Sequence, residues 1–283
     1  MAQRFRSLRA SASTLGKLMT LRVIVAGATG WTGSAVAKGV LDAADMTLVG
    51  AVARNAAGQD IGTVLGRDAV GVLVSASLSE ALKVPCDVVI DYTKPHVVKA
   101  HALEALDHGA DVVIGTSGLT ADDFAELEAK ALATKHNVFA SGNFSITAAL
   151  MTRFALMAAK HVADVEVIDY ASAKKPDTPS GTGRELAERL SAIRLPSNAK
   201  PVSELSGARE TRGATIGSVQ VHSVRMPGYL LSCEAVFGAP DERLVIRHDA
   251  GTSAAPYVAG TLLAARRVKD IKGLRRGLDQ LLD

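Results

Sequence analysis

Cysteine is scarce in this chain of 283 residues: only Cys86 and Cys233 occur, with no partner at metal-ligand or redox spacing. That rules out a disulfide framework and fits a reduced cytoplasmic setting. No apolar run approaches the roughly 18 residues that cross a bilayer, so no membrane partner is expected. Charge of one sign is also wanting. The formal net charge is +3 and the basic residues are scattered, so no nucleic-acid-binding stripe is expected, while small anionic molecules remain compatible. There are no internal repeats and no low-complexity linkers. The first twenty residues, MAQRFRSLRASASTLGKLMT, contain no acid. They suit either an organelle transit peptide or a basic, flexible tail ahead of a core that begins near Met19, and the tail is the plainer reading.

What is present is apolar residue in quantity, 48% of the chain, with 22% charged, as in a soluble α/β enzyme able to bury a sizeable core. From Leu21 short β-branched runs alternate with helical segments. LRVIVAG, MTLVGAVA, CDVVIDY, ADVVIGT and NVFASG read as buried strands, with HVVKAHALEALDHG and TADDFAELEAKALATKH as helices. That alternation predicts a Rossmann-type doubly wound parallel sheet over residues 21–143. The remainder reads differently. After the long helical run NFSITAALMTRFALMAAKHV and the alternating DVEVIDYASA come a helix, GRELAERLSAI, and three strand-like runs without helices between them: ATIGSVQVHSVR, YLLSCEAVFG and RLVIRHD. A second α+β domain over 144–252 is predicted, its mixed or antiparallel sheet open on one face to a partner subunit or ligand. APYVAGTLLAARRV and IKGLRRGLDQLL return to helix, and 253–283 are assigned to the first domain.

In VIVAGATGWTG, Gly27, Gly30 and Gly33 follow a strand and open a helix. Glycine lets the backbone turn tightly and approach a pyrophosphate, whose charge meets the helix N-terminal N–H groups. The turn Gly27-Ala28-Thr29-Gly30-Trp31-Thr32-Gly33 is therefore the candidate dinucleotide site. The second strand should end in the residue that reads the adenosine ribose. An acid there marks NAD; this chain has Arg54 and Asn55, and a guanidinium suits a 2′-phosphate. NADPH is the expected cofactor, with NADH possible.

DYASAKKPDTPSGT, residues 169–182, admits two readings. Tyr170 and Lys174 make a Y-x-x-x-K, as in short-chain dehydrogenases, but that pair needs a helix to share a face. The period-two DVEVIDY before it and Pro176 and Pro179 after it oppose one. The other reading is an anion-binding turn. Ser180, Gly181 and Thr182 open a helix with N–H groups and hydroxyls, and Lys175 adds a positive charge or a proton. Among the histidines, His96, His101 and His108 read as surface residues, and His222 and His248 as structural ones. No carboxylate cluster at ligand spacing accompanies them, and no metal is expected.

Several of these motifs, in this order, resemble dihydrodipicolinate reductases from about Leu21 to the C-terminus. They are VAGATGWTG, IDYTKP (family D-F-T-x-P), VIGTSG (family G-T-T-G), GNFSI, KPDTPSGT (family K-x-D-x-P-S-G-T), IGSVQVHSVRMPG and ERLVIRHD. The resemblance implies that Gly27, Gly30, Gly33, Arg54, Thr93, Gly115, Thr116, Asn143, Phe144 and Ser145 surround the cofactor. It implies that Lys175, Ser180, Gly181 and Thr182 hold substrate carboxylates, with Ser172 beside them. It also implies a homotetramer built through the second-domain sheets, with the C-terminal helices folded back onto the nucleotide domain. The chain departs from the family where E-x-H-H-x-x-K is usual: Ala171 and Ser172 stand in place of the two histidines, the first of which the family uses in catalysis. After IRHD, AGTSAAPY replaces an arginine-containing segment. The expected reaction is reduction of a carboxylated cyclic imine, most simply 4-hydroxy-tetrahydrodipicolinate, with Lys175 as the candidate catalytic residue. Tyr170, Lys174 or water are other proton sources. The alternatives are a reductase of another imine or keto acid, a catalytically silent NADP-binding subunit, and a short-chain-type dehydrogenase.

Overall fold

The computed structural model describes residues 20–193, 195 and 200–282, so the basic tail, apart from Thr20, lies outside the described residues. Short apolar runs form β1 (Leu21–Ala26), β2 (Met46–Val52), β3 (Val74–Ser75), β4 (Val88–Asp91), β5 (Asp111–Ile114) and β6 (Val138–Ala140). Between them lie α1 (Trp31–Asp42), α2 (Ile61–Val64), α3 (Leu78–Ala81), α4 (Val98–Asp107) and α5 (Ala121–Thr134). The chain continues through α6 (Ile146–Ala159), β7 (Asp164–Ala171), α7 (Gly181–Ser191), β8 (Ala214–Ile216), β9 (Val219–Arg225), β10 (Leu231–Ala239), β11 (Glu242–Asp249), α8 (Ala255–Arg267) and β12 (Leu274–Arg276).

The first sheet has seven parallel strands in the order β12-β6-β5-β4-β1-β2-β3. Its strands are apolar on both faces because both are covered. Val23 and Val25 of β1 pack toward Val36 of α1 and Ala264 of α8, whereas Ile24 and Ala26 face Ala102 of α4 and Leu127 of α5. The strand order reverses between β1 and β4, and such a switch point opens a crevice at the carboxyl ends of the strands.

The second sheet runs β11-β10-β7-β9-β8, with β7 and β9 parallel and the other pairs antiparallel. Period two governs β7. Val165 and Val167 pack with Met151 and Ala155 of α6 and Leu186 of α7, while the intervening Glu166, Ile168 and Tyr170 face the other way. Both helices cover one side of this sheet, as the unbroken strand runs predicted.

Two segments differ from the sequence reading. ATIGSVQVHSVR is a hairpin of β8 and β9, because Gly217 takes a left-handed φ of +61° between them. IKGLRRGLDQLL, expected to be helical, instead contributes β12, which adds to the sheet beside β6. Gly273 (φ +71°) and Gly277 (φ +95°) bracket that strand, and sheet pairing overrides the local helical pattern.

Candidate active site

The carboxyl ends of β1, β2 and β4 and the segment after β5 ring a cavity of about 650 Å³. Gly27, Thr29, Gly30, Trp31 and Thr32 line it, together with Arg54, Thr93, Gly115 and Thr116. The glycine turn is shaped by close backbone approach. Gly27 has φ +82°, and a Cβ there would lie 2.2 Å from the Tyr92 carbonyl oxygen; a Cβ on Gly33 would lie 2.0 Å from that of Gly27. Neither position admits a side chain. The cap residue of α1 is Gly30, and the helix has no acid in its first turn, so its leading N–H groups are available to an anion. Ala28 and Gly33 do not line the cavity: the first is buried in the core, and the second lets α1 sit against the turn. Arg54 opens a short 3-10 turn just beyond β2, at the cavity's edge, with Asn55 and no acid beside it.

The far wall is organised by Asp91, the last residue of β4, which is fully buried. One carboxylate oxygen accepts from the Thr93 N–H (2.9 Å), the Thr93 hydroxyl (2.7 Å) and the Thr116 hydroxyl (2.7 Å). The other is 2.8 Å from His101 Nδ1. His101, read as a surface residue, is therefore half-buried and lines the cavity; a buried acid at a strand end draws the facing histidine of α4 inward. Tyr92 also lines the cavity. Its hydroxyl is 2.7 Å from Thr261 Oγ1 of α8, and burial pushes its phenol well above the ordinary range.

Asn143, Phe144 and Ser145 lie where the first sheet passes into α6. Phe144 is buried, edge-on to Tyr92 at 6.1 Å. Ser145 caps α6 and approaches His248 Nε2 at 3.4 Å, and burial lowers the pKa of that imidazole. Asn143 donates to Thr182 Oγ1 at 3.1 Å, joining the two parts of the site. The Gly142 N–H donates to Glu185 of α7 at 2.5 Å, and burial raises that carboxyl above its usual range.

The turn of residues 172–182 abuts this cavity. A Cβ built on Gly181 would sit 3.6 Å from the side chain of Ser117, itself a cavity residue. Ser180 caps α7, accepting from the Gly183 N–H, while its own N–H (2.9 Å) and hydroxyl (2.5 Å) both donate to Asp169. Gly181 and Thr182 are the first residues of α7, whose N–H groups have no acceptor within the helix. Lys175 Nζ pairs with Asp177 at 2.8 Å and remains about a third exposed. Ser172 Oγ accepts from the Lys174 N–H. The Y-x-x-x-K helix does not form. Tyr170, next to last in β7 and on the face opposite Asp169, donates to Glu234 at 2.9 Å and stacks on Tyr229, with its phenol pushed up to about 12 by burial and by Glu234. Ala171 is fully buried.

The sequence reading passed over Asp91, Tyr92, Asp169 as a buried anchor, and Arg225. The available signal was an acid ending the apolar run of β4, for Asp91, and an acid at an inward position of the period-two run of β7, for Asp169. Among the described residues, no group of three or more His, Cys, Asp and Glu is placed to hold a metal ion, and no helix is long and apolar enough to cross a membrane.

Comparison with known proteins matches this architecture. Residues 21–144 match the family described as "Dihydrodipicolinate reductase, N-terminus", and residues 146–282 match "Dihydrodipicolinate reductase, C-terminus". The 4-hydroxy-tetrahydrodipicolinate reductase of Desulfitobacterium hafniense (strain DSM 10664 / DCB-2) is 36% identical over 265 residues, which cover 93% of this chain and 99% of that one. That of Moorella thermoacetica is 36% identical over 269 residues, covering 94% and 99%. Among solved structures, a dipicolinate-bound dihydrodipicolinate reductase from Paenisporosarcina sp. TG-14 superposes with a TM-score of 0.72 at 30% identity, over 93% of this chain and 100% of that one. An amine dehydrogenase from Mycobacterium smegmatis shares the fold at 18% identity, with a TM-score of 0.63 over 92% and 95% of the two chains. With both halves of the family matched in sequence and the same two-sheet architecture, the chain belongs to the dihydrodipicolinate reductase family.

Proposed function

We propose that this protein is an NADPH-dependent reductase of a carboxylated cyclic imine, 4-hydroxy-tetrahydrodipicolinate, acting in the cytoplasm as a homotetramer. The observation that carries the reading is the contact of two unlike sites: a glycine-walled cavity at a sheet switch point, and directly against it, through Ser117 and Gly181, the anion-binding turn. The cavity fits a dinucleotide in chemistry as well as place, because its glycine turn packs tightly on backbone and opens α1 with uncapped N–H groups that suit a pyrophosphate. When bound, the nicotinamide supplies the hydride. Gly27 and Thr29 to Thr32 would hold the pyrophosphate. Arg54, with no acid beside it, favours the 2′-phosphate of NADPH over the bare ribose of NADH. Thr93, Gly115 and Thr116, fixed by Asp91, support the nicotinamide end.

On the other side, Lys175 and the N–H groups of Gly181 and Thr182 receive the substrate's carboxylates and favour the charge that develops in the transition state. Ala171 offers no acid, and Tyr170 points away toward Glu234. Lys175, on the same turn as Ser180 to Thr182 and partly open to solvent, is assigned the proton, with Lys174 or water as the other sources. Residues 21–143 with 253–283 serve as the nucleotide domain, and 144–252 as the substrate and assembly domain. The uncovered face of the second sheet, carrying Glu166, Ile168 and Tyr170, is the surface through which subunits associate.

The test is NADPH oxidation with enzymatically generated 4-hydroxy-tetrahydrodipicolinate, beside a panel of other cyclic imines and keto acids. Turnover on the first is expected. Turnover confined to another compound would reassign the substrate, and tight NADPH binding with no turnover would favour a silent NADP-binding subunit.

A further inference from the structure

We propose that Arg225 and Asp169 are a positioning pair that holds the Lys175 turn in its carboxylate-binding shape; the inference rests on the reductase reading above. Arg225 is the last residue of β9, and Asp169 lies near the end of the neighbouring β7. Arg225 Nη2 is 2.7 Å from Asp169 Oδ2, and the same nitrogen donates to the Asp177 carbonyl at 2.9 Å. Arg225 Nη1 reaches the carbonyls of Val224 (3.0 Å) and Asp169 (3.3 Å). Asp169, fully buried, meanwhile accepts both the N–H and the hydroxyl of Ser180. The loop between β7 and α7 is thus tied at two points, at Asp177 by the guanidinium and at Ser180 by the carboxylate. Asp177 in turn carries Lys175 on its side chain.

The chemistry of the pair suits geometry better than stability. A buried ion pair is often no more stabilising than a well-packed apolar pair, because both charges must be desolvated. Among the described residues, Arg225 Nε is buried without an acceptor, a further cost. What the pair provides is a planar fork with several donors fixed in direction, which a lysine cannot reproduce. A turn held rigid before the substrate arrives loses less freedom on binding.

The experiment uses the full-length protein with NADPH present and dipicolinate as the probe, so that it does not depend on turnover. Arg225→Lys is compared with the paired change Asp169→Asn/Arg225→Gln, which leaves no lone buried charge; each is made with Lys175 intact and with Lys175→Ala. A charge-assisted hydrogen bond is worth roughly 10- to 100-fold, so a loss of that order in dipicolinate affinity is expected for both variants. Affinity for NADPH should stay within about twofold, since neither Arg225 nor Asp169 lines the dinucleotide cavity. In the Lys175→Ala background the loss should shrink to about threefold or less, because residues acting as one unit are not additive. An equal loss in both backgrounds, a parallel loss of NADPH affinity, or no dipicolinate binding by the wild type would overturn the proposal. If dipicolinate binding behaves as expected but no imine is reduced, the reductase reading fails and the positioning pair stands.

Discussion

On the glycine side of the dinucleotide cavity the wall is backbone packed on backbone, at Gly27 against Tyr92 and at Gly33 against Gly27, whereas the turn from Ser172 to Thr182 takes its shape from charged side chains. The first kind of site is rigid, and any added carbon collides with a main chain that cannot yield. The second is held in place by side-chain directions, the Arg225–Asp169 pair and the hydroxyl of Ser180, so a single side-chain change can release it. A pyrophosphate, common to all dinucleotides, suits the first construction. A carboxylate, recognised by the direction of its donors as well as by charge, suits the second.

The largest expected effect tests the backbone-built side. Gly27→Val places branched carbon against the Tyr92 carbonyl at a left-handed φ, and should lower NADPH affinity by about 10²-fold or more, measured by calorimetry. Retained affinity would mean that the turn can open. Lys175→Ala should reduce turnover by roughly 10²- to 10⁴-fold while leaving the NADPH dissociation constant unchanged, which separates the two sides. Near-wild-type turnover would remove Lys175 from its role. Arg54→Ala should weaken NADPH by roughly 10- to 100-fold, the worth of a charge-assisted hydrogen bond, and leave NADH nearly untouched.

The smallest effect lies where the two parts meet. Burial depresses the pKa of His248, so between its folded value and the usual 6.5 only the unfolded chain binds the proton. The stability this histidine supports is therefore present above pH 6.5 and lost as pH falls below it. Urea unfolding should steepen its decline there by at most about 1.4 kcal/mol per pH unit, and His248→Gln should flatten it.

The same contrast explains what could be read from the chain. Glycine spacing after an apolar strand is local, so the cavity at β1 and α1 was legible, as were Arg54 and the helix-opening Ser180-Gly181-Thr182. The period-two run of β7 was enough to refuse the Y-x-x-x-K helix. Long-range partners left no local trace. Arg225 lies 56 positions from Asp169, and Thr261 lies 169 from Tyr92. His101 was misread because its partner Asp91 ends an apolar strand and shows its burial only once α4 packs against it. The terminal run was misread because a three-residue strand such as β12 is decided by the neighbour it joins, here β6, and not by its own propensity.

The most direct measurement follows deuterium from 4-deuterated NADPH into the ring product, with enzymatically generated 4-hydroxy-tetrahydrodipicolinate, for the wild type and Lys175→Ala. The expected result is label in the reduced ring with the wild type, and its near-loss in the variant despite unchanged NADPH binding. Tight NADPH binding by the wild type with no label transferred to any carboxylated imine would contradict the assignment of the two sites to one reaction.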